Sequence, residues 1–128
     1  MRFDSKSGYT INVLDPECPS RQTLELLADK WSMLIIVALD QKGTLRNSAL
    51  KRALRDISAK MLTQNLRKLE SSGIVNRISY NEVPPRVEYE LTELGQTLIA
   101  PIRALSDWAE LYYAEILEAQ KASSEEDS

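Results

Sequence analysis

Histidine is absent from the 128 residues, and with it the commonest general base and the commonest nitrogen ligand for metals. A single cysteine, Cys18, excludes a CxxC redox pair or a thiolate zinc cluster built within one chain. The four glycines, Gly8, Gly43, Gly73 and Gly95, are too dispersed to form a loop that cradles phosphate. These absences argue against an enzyme and give no reason to expect a cofactor or a metal. The longest apolar run, Met33–Leu39, is far too short to span a bilayer. No charged-then-apolar leader opens the chain, so the expected location is cytoplasmic, with no membrane partner.

A hydrophobic share of 43% and a charged share of 27% instead suit one soluble domain that buries a single core without disulfides. A net charge of −3 spread evenly would disfavour nucleic acid, but the charge is segregated. Between Lys42 and Arg86 lie ten basic and three acidic residues, a local net of +7. The other six basic and sixteen acidic residues leave −10 for the rest of the chain. A docking surface is felt through its local field, and a Debye length of about 8 Å hides distant acids. An ordinary set of solvated helix faces is the plain alternative, and the motif below weighs against it.

The first seventeen residues, with Ser5, Ser7, Gly8 and Pro16, read as a flexible arm in which Tyr9–Val13 alternates like an extended segment. Pro19 favours a helix start just after Cys18, with Leu24, Leu27 and Ala28 as its buried stripe. Trp31, Leu34, Ile35, Ala38 and Leu39 give a second helix from about Lys30 to Leu39, ended by Gly43. Thr44–Arg46 is a candidate short strand, and Asn47–Leu54 a third helix burying Leu50 and Leu54. After a turn through Asp56, Ser58 caps a fourth helix that runs to about Ser72 and stops at Gly73. Helix, short turn, helix is helix-turn-helix spacing. Val75–Tyr80 and Arg86–Leu91 alternate as strands around a loop fixed by Pro84 and Pro85. Thr92 and Glu93 open the last helical region, where Pro101 is expected to kink or divide the helix. The fold class is therefore mainly α with a small β-hairpin wing, a winged helix-turn-helix.

On the fourth helix Leu62, Leu66 and Leu69 recur every three or four residues and face the core. At about 100° per residue, Lys60, Gln64, Arg67 and Ser71 then point outward, flanked by Thr63 and Lys68. Arg and Lys bond guanine edges, Gln bonds adenine, and Thr meets a thymine methyl or a phosphate. No acid interrupts Ser58–Lys68, whereas an ordinary exposed helix mixes acids into such a face. At the hairpin, Arg86 beside the prolines and Arg77 on the neighbouring strand suit a phosphate strand or a minor groove. The candidate DNA-binding residues are thus Ser58, Lys60, Thr63, Gln64, Arg67, Lys68, Arg77 and Arg86.

The last helical region carries Leu98, Ile102, Leu105, Trp108, Tyr112 and Ile116 at spacings of three or four. Such a stripe either completes the monomer core or forms an interface between subunits. It reaches so far beyond a compact winged helix that the interface is favoured. The acidic residues from 121 to 128 read as a disordered tail.

Cys18-Pro19, Asp29-Lys30-Trp31, ISAKMLTQ at Ile57–Gln64 and EVPPRVEY at Glu82–Tyr89 together resemble the HxlR-type family. These are bacterial winged-helix transcription regulators related to the MarR class. The likeness spans about Cys18 to Trp108, within a domain set at 18–120, and departs at Asn47-Ser48-Ala49, where Asn-Glu-Leu is more usual. The resemblance implies a homodimer on a palindromic operator in double-stranded DNA. The first and last helices would form the interface, through Leu24, Leu105, Trp108, Tyr112 and Ile116. In several members a cysteine at the position of Cys18 senses oxidants or electrophiles, by alkylation or by a disulfide between subunits. A helix N-terminus favours the thiolate, and Arg21 would help while Asp15 and Glu17 oppose it. A small half-buried residue without chemistry is the other reading of Cys18. From a different functional class, a winged helix used for protein–protein contact without sequence-specific DNA binding is the alternative for the whole chain.

Overall fold

The computed structural model describes residues 2–4 and 9–126. Strands β1 (Arg2–Asp4) and β2 (Tyr9–Ile11) pair antiparallel, Phe3 opposite Thr10. The Ser5–Gly8 part of the expected arm lies outside the described residues. Helices α1 (Pro19–Leu27), α2 (Lys30–Lys42) and α3 (Asn47–Leu54) follow, with the two-residue strand β3 (Leu45–Arg46) before α3. Then come α4 (Ala59–Ser71), the hairpin β4 (Val75–Tyr80) and β5 (Arg86–Leu91), the short α5 (Glu93–Gln96) and the long α6 (Ile99–Glu126).

Local chemistry sets these boundaries. The Asp29 carboxylate accepts from the Trp31 amide at 2.8 Å and starts α2. Ser58 Oγ accepts from the Met61 amide at 3.1 Å and Thr92 Oγ1 from the Gly95 amide at 3.0 Å, opening α4 and α5. Gly43 (φ 77°) and Gly73 (φ 76°) stop α2 and α4 in the left-handed region, where a side chain is costly. The turn from α3 into α4 has no glycine. Arg55 takes φ 60° and the Asp56 amide bonds the Leu54 carbonyl at 2.7 Å, closing a γ-turn.

The core gathers between α2, α3, α4 and the hairpin. Ile35, Ile36, Leu50, Leu62, Leu66, Leu69 and Val75 are its fully buried side chains. Burying each is worth about 1.5–3 kcal/mol, so α4 is clamped by three leucines along one side. The wing is a three-stranded antiparallel sheet in the order β3-β5-β4, with Leu45 opposite Tyr89 and Arg77 opposite Tyr89 on its other edge.

Three expectations need correction. On α1 the half-buried residues are Leu26 and Leu27, while Leu24 is 57% exposed and Ala28 is exposed, because the short helix touches the core along one edge only. Pro101 does not divide a helix. The break falls at Thr97–Leu98, and Pro101 sits in the first turn of α6, where amide hydrogens have no helical acceptor to lose. The acidic residues from 121 to 126, rich in Ala, Glu and Lys, continue α6, and 127–128 lie outside the described residues.

Candidate nucleic-acid interface

The clamp on α4 fixes which side is free. Lys60, Thr63, Gln64, Arg67, Lys68 and Ser71 are all exposed, opposite the leucines. One buried polar pair adds a positional lock. Asn65 and Ser32 are both fully buried; Ser32 Oγ donates to Asn65 Oδ1 at 3.1 Å, and Asn65 Nδ2 donates to the Met61 carbonyl at 2.9 Å. The pair joins α4 to α2 at one rotational setting, since any other leaves two polar groups unsatisfied at about 1–3 kcal/mol each. Asn65 is not among the candidate residues above, although its spacing signals it: three after Leu62 and four before Leu69, it lies on the buried stripe.

The outward residues differ in what already holds them. Lys68 leans toward Asp29 at 4.0 Å, whereas Lys60 and Arg67 have no ion pair among the described residues. Ser58 uses its oxygen as the helix cap and keeps its hydroxyl hydrogen for a further acceptor. Lys51, Arg52 and Arg55, on and just after α3, are exposed as well, and Arg55 lines a cavity with Leu34, Val37 and Gln41 of α2.

The hairpin separates its two arginines. Cross-strand pairing puts Arg77, Ser79, Val87 and Tyr89 on one face and Ile78, Tyr80, Arg86 and Glu88 on the other. Arg77 lies on the α4 side, and its Nη1 donates to Ser79 Oγ at 3.1 Å. Arg86 stacks on the Tyr80 ring at 3.8 Å and is flanked by Glu82 at 3.3 Å and Glu88 at 3.9 Å. Its Nε is buried with no hydrogen-bond partner. A hydrogen bond to Glu88, together with burial and that carboxylate's charge, raises the Tyr80 phenol above its ordinary value against the opposing Arg86 charge. Arg86 is therefore a brace of the wing held between two carboxylates, whereas Arg77, on the helix side, has no ion pair among the described residues.

Cys18 is 6% exposed at the N-cap of α1. Burial pushes its thiol up, but backbone hydrogen bonds from Asn12, Arg21 and Ser20, with the Ser20 side chain, outweigh it and bring the net shift below the ordinary value. The expected help from Arg21 comes from its amide. Its guanidinium is occupied by Glu25 and the Leu14 carbonyl, both at 2.9 Å.

On α6, Ile102 packs half-buried against the core, while Leu105 (54%), Trp108 (52%), Tyr112 (37%) and Ile116 (40%) are exposed. Trp108 and Tyr112 rings lie 5.3 Å apart. Among the described residues no group of His, Cys, Asp and Glu is arranged to hold a metal, and no helix is long and apolar enough to cross a membrane.

Residues 26–117 match the HxlR-like helix-turn-helix family. The chain belongs to that family. This HxlR-like protein is 46% identical over 106 residues to the HTH-type transcriptional regulator YtfH of Escherichia coli K12, covering 83% of each chain. Among solved structures it is similar to the transcriptional regulator ytfH of Salmonella typhimurium, with TM-score 0.78, 44% identity, and 86% of this chain and 97% of that one covered. It is also similar to HypR, a redox regulator, in its reduced form: TM-score 0.71, 37% identity, 79% and 98% covered. The helix-turn-helix and the wing are thus those of a transcription regulator, and none of these relatives points to an enzyme.

Proposed function

We propose that this HxlR-like regulator acts in the cytoplasm as a homodimer that binds a palindromic operator. Lys60, Thr63, Gln64, Arg67 and Lys68 of α4 enter the major groove, with Ser58 at the helix start on the backbone. The observation that carries this reading is the acid-free outward face of α4, held at one rotation by three leucines and the Asn65–Ser32 pair. Arg77 serves the wing directly. Arg86 reaches the flanking backbone by exchanging Glu82 or Glu88 for a phosphate.

Binding of a fluorescent operator duplex, selected by the protein from its source genome, tests this reading against a winged helix that only binds protein. With six to ten phosphates neutralised per dimer, affinity is expected to fall about 10³–10⁵-fold between 50 and 200 mM salt. An operator affinity indifferent to salt, or no selected duplex at all, sinks the DNA reading.

Cys18 supplies the signal in this proposal. Three amide donors favour its thiolate, and HypR, a redox regulator, is among the similar structures. The thiolate adds to a ring carbon of a quinone, forming a C–S bond as the ring C=C electrons move to the carbonyl oxygen, and that enolate oxygen takes up a proton to give the thioether hydroquinone. Alternatively, two Cys18 thiols of the dimer give two electrons and two protons to diamide and join as a disulfide. Either reagent is expected to lower wild-type operator affinity and to leave Cys18→Ser unmoved. Equal responses in the two proteins reject Cys18 as the sensor.

A further inference from the structure

A polar notch of about 430 Å³ lies between α4 and the wing, lined by Thr63, Arg67, Glu70, Arg77 and Tyr89. Its helix wall is one stripe, since Thr63, Arg67 and Glu70 are spaced four and three apart. Its sheet wall is one cross-strand pair, Arg77 opposite Tyr89 on the face turned to α4. Two arginines thus line the notch from different elements, and among the described residues neither Arg67 nor Arg77 has a carboxylate in ion-pair contact. The single acid of the notch, Glu70, leaves it net positive.

We propose that this notch is a seat for one sugar-phosphate unit of the DNA backbone, clamped by Arg67 from the helix and Arg77 from the wing. This rests on the DNA-binding reading above and reassigns Arg67 within it, from a reader of bases to a holder of phosphate. Position along the helix supports the change. Arg67 follows the Ser58 cap by nine residues, roughly 13 Å of axial rise. A reading helix meets base edges with its N-terminal residues, and the major groove is about 12 Å wide, so Arg67 stands at the groove wall where phosphates run. Lys60 and Gln64, in the first two turns and outside the notch lining, keep the bases. Arginine suits the seat because its planar fork bonds two phosphate oxygens at once, and the Thr63 hydroxyl adds a neutral donor.

The test is a scan of the selected operator duplex in which single phosphates are replaced by neutral methylphosphonates. Wild-type protein is expected to lose about tenfold in affinity at one symmetric phosphate position, and the Arg67→Ala/Arg77→Ala variant about nothing further there. Arg67→Ala alone should weaken selected and scrambled duplexes by the same factor and lower the salt slope by about one per half-site. Both side chains are exposed, so a circular-dichroism melt of the variants should match wild type. If the variant stays as sensitive as wild type at every phosphate, the clamp is overturned. Loss of discrimination between the two duplexes in Arg67→Ala also overturns it, because Arg67 then reads a base. A wild type that selects no duplex overturns the DNA reading itself, and the clamp with it.

Discussion

Gly95→Ala is expected to destabilise the protein by about 3 kcal/mol or more, although alanine is the better helix former at most positions. In a helix interior that exchange ordinarily gains about 1 kcal/mol. Here a Cβ on Gly95 would stand 2.3 Å from the Ile74 carbonyl oxygen and 3.2 Å from Leu91 Cδ2. The first neighbour is backbone and has little freedom to yield. That carbonyl accepts the Thr92 amide at 3.0 Å, while the Thr92 hydroxyl donates to the adjacent Gly73 carbonyl at 2.6 Å and accepts from the Gly95 amide at 3.0 Å. Pushing Ile74 away therefore breaks the bonds that seat α5 on the hairpin. Urea unfolding at fixed protomer concentration measures the loss, and an unchanged midpoint would show that α5 is free to shift.

The caps explain how much of this fold was legible in advance. Ser58, Thr92, Gly43 and Gly73 act within a turn of their own position, so the stop of α2, both ends of α4 and the start of α5 follow from nearest-neighbour chemistry. What the sequence hid depends on partners distant along the chain. The Ser32–Asn65 bond spans 33 residues, so spacing marks Asn65 as buried but does not name its partner. Likewise the candidate site was visible as a list of basic residues but not as an arrangement. Only the register shows that Arg77 and Arg86 lie on opposite faces of the hairpin, and only packing brings Arg77 across to Arg67. The γ-turn at Arg55 had no residue signature at all, since glycine or asparagine usually marks such a φ.

Trp108→Glu combined with Ile116→Glu is expected to yield a folded monomer whose operator affinity is about 10²–10⁴-fold below wild type. The stripe on α6 begins inside the monomer, with Leu98 and Ile102 half-buried against the core. It then continues in the same phase through Leu105, Tyr112 and Ile116, all exposed, with Trp108 at its edge and stacked near Tyr112. A helix of 28 residues is about 42 Å long, yet the core holds only its first turns, together with the Arg103–Asp40 ion pair at 3.1 Å. Most helical stability comes from packing an apolar face, so the outer turns need a cover. In the proposed homodimer a second copy of this chain would supply the same stripe about a two-fold axis, with Leu24 of α1, 57% exposed, as a further contact. Both substituted side chains point away from the core, so the monomer should keep its helical content while sedimentation shows half the mass. Operator affinity falls with it because the two reading helices, set about 34 Å apart on one face of the DNA, no longer bind as a tethered pair. A double variant that sediments as a dimer with wild-type affinity would place the interface elsewhere and leave α6 as a helix without a function in assembly.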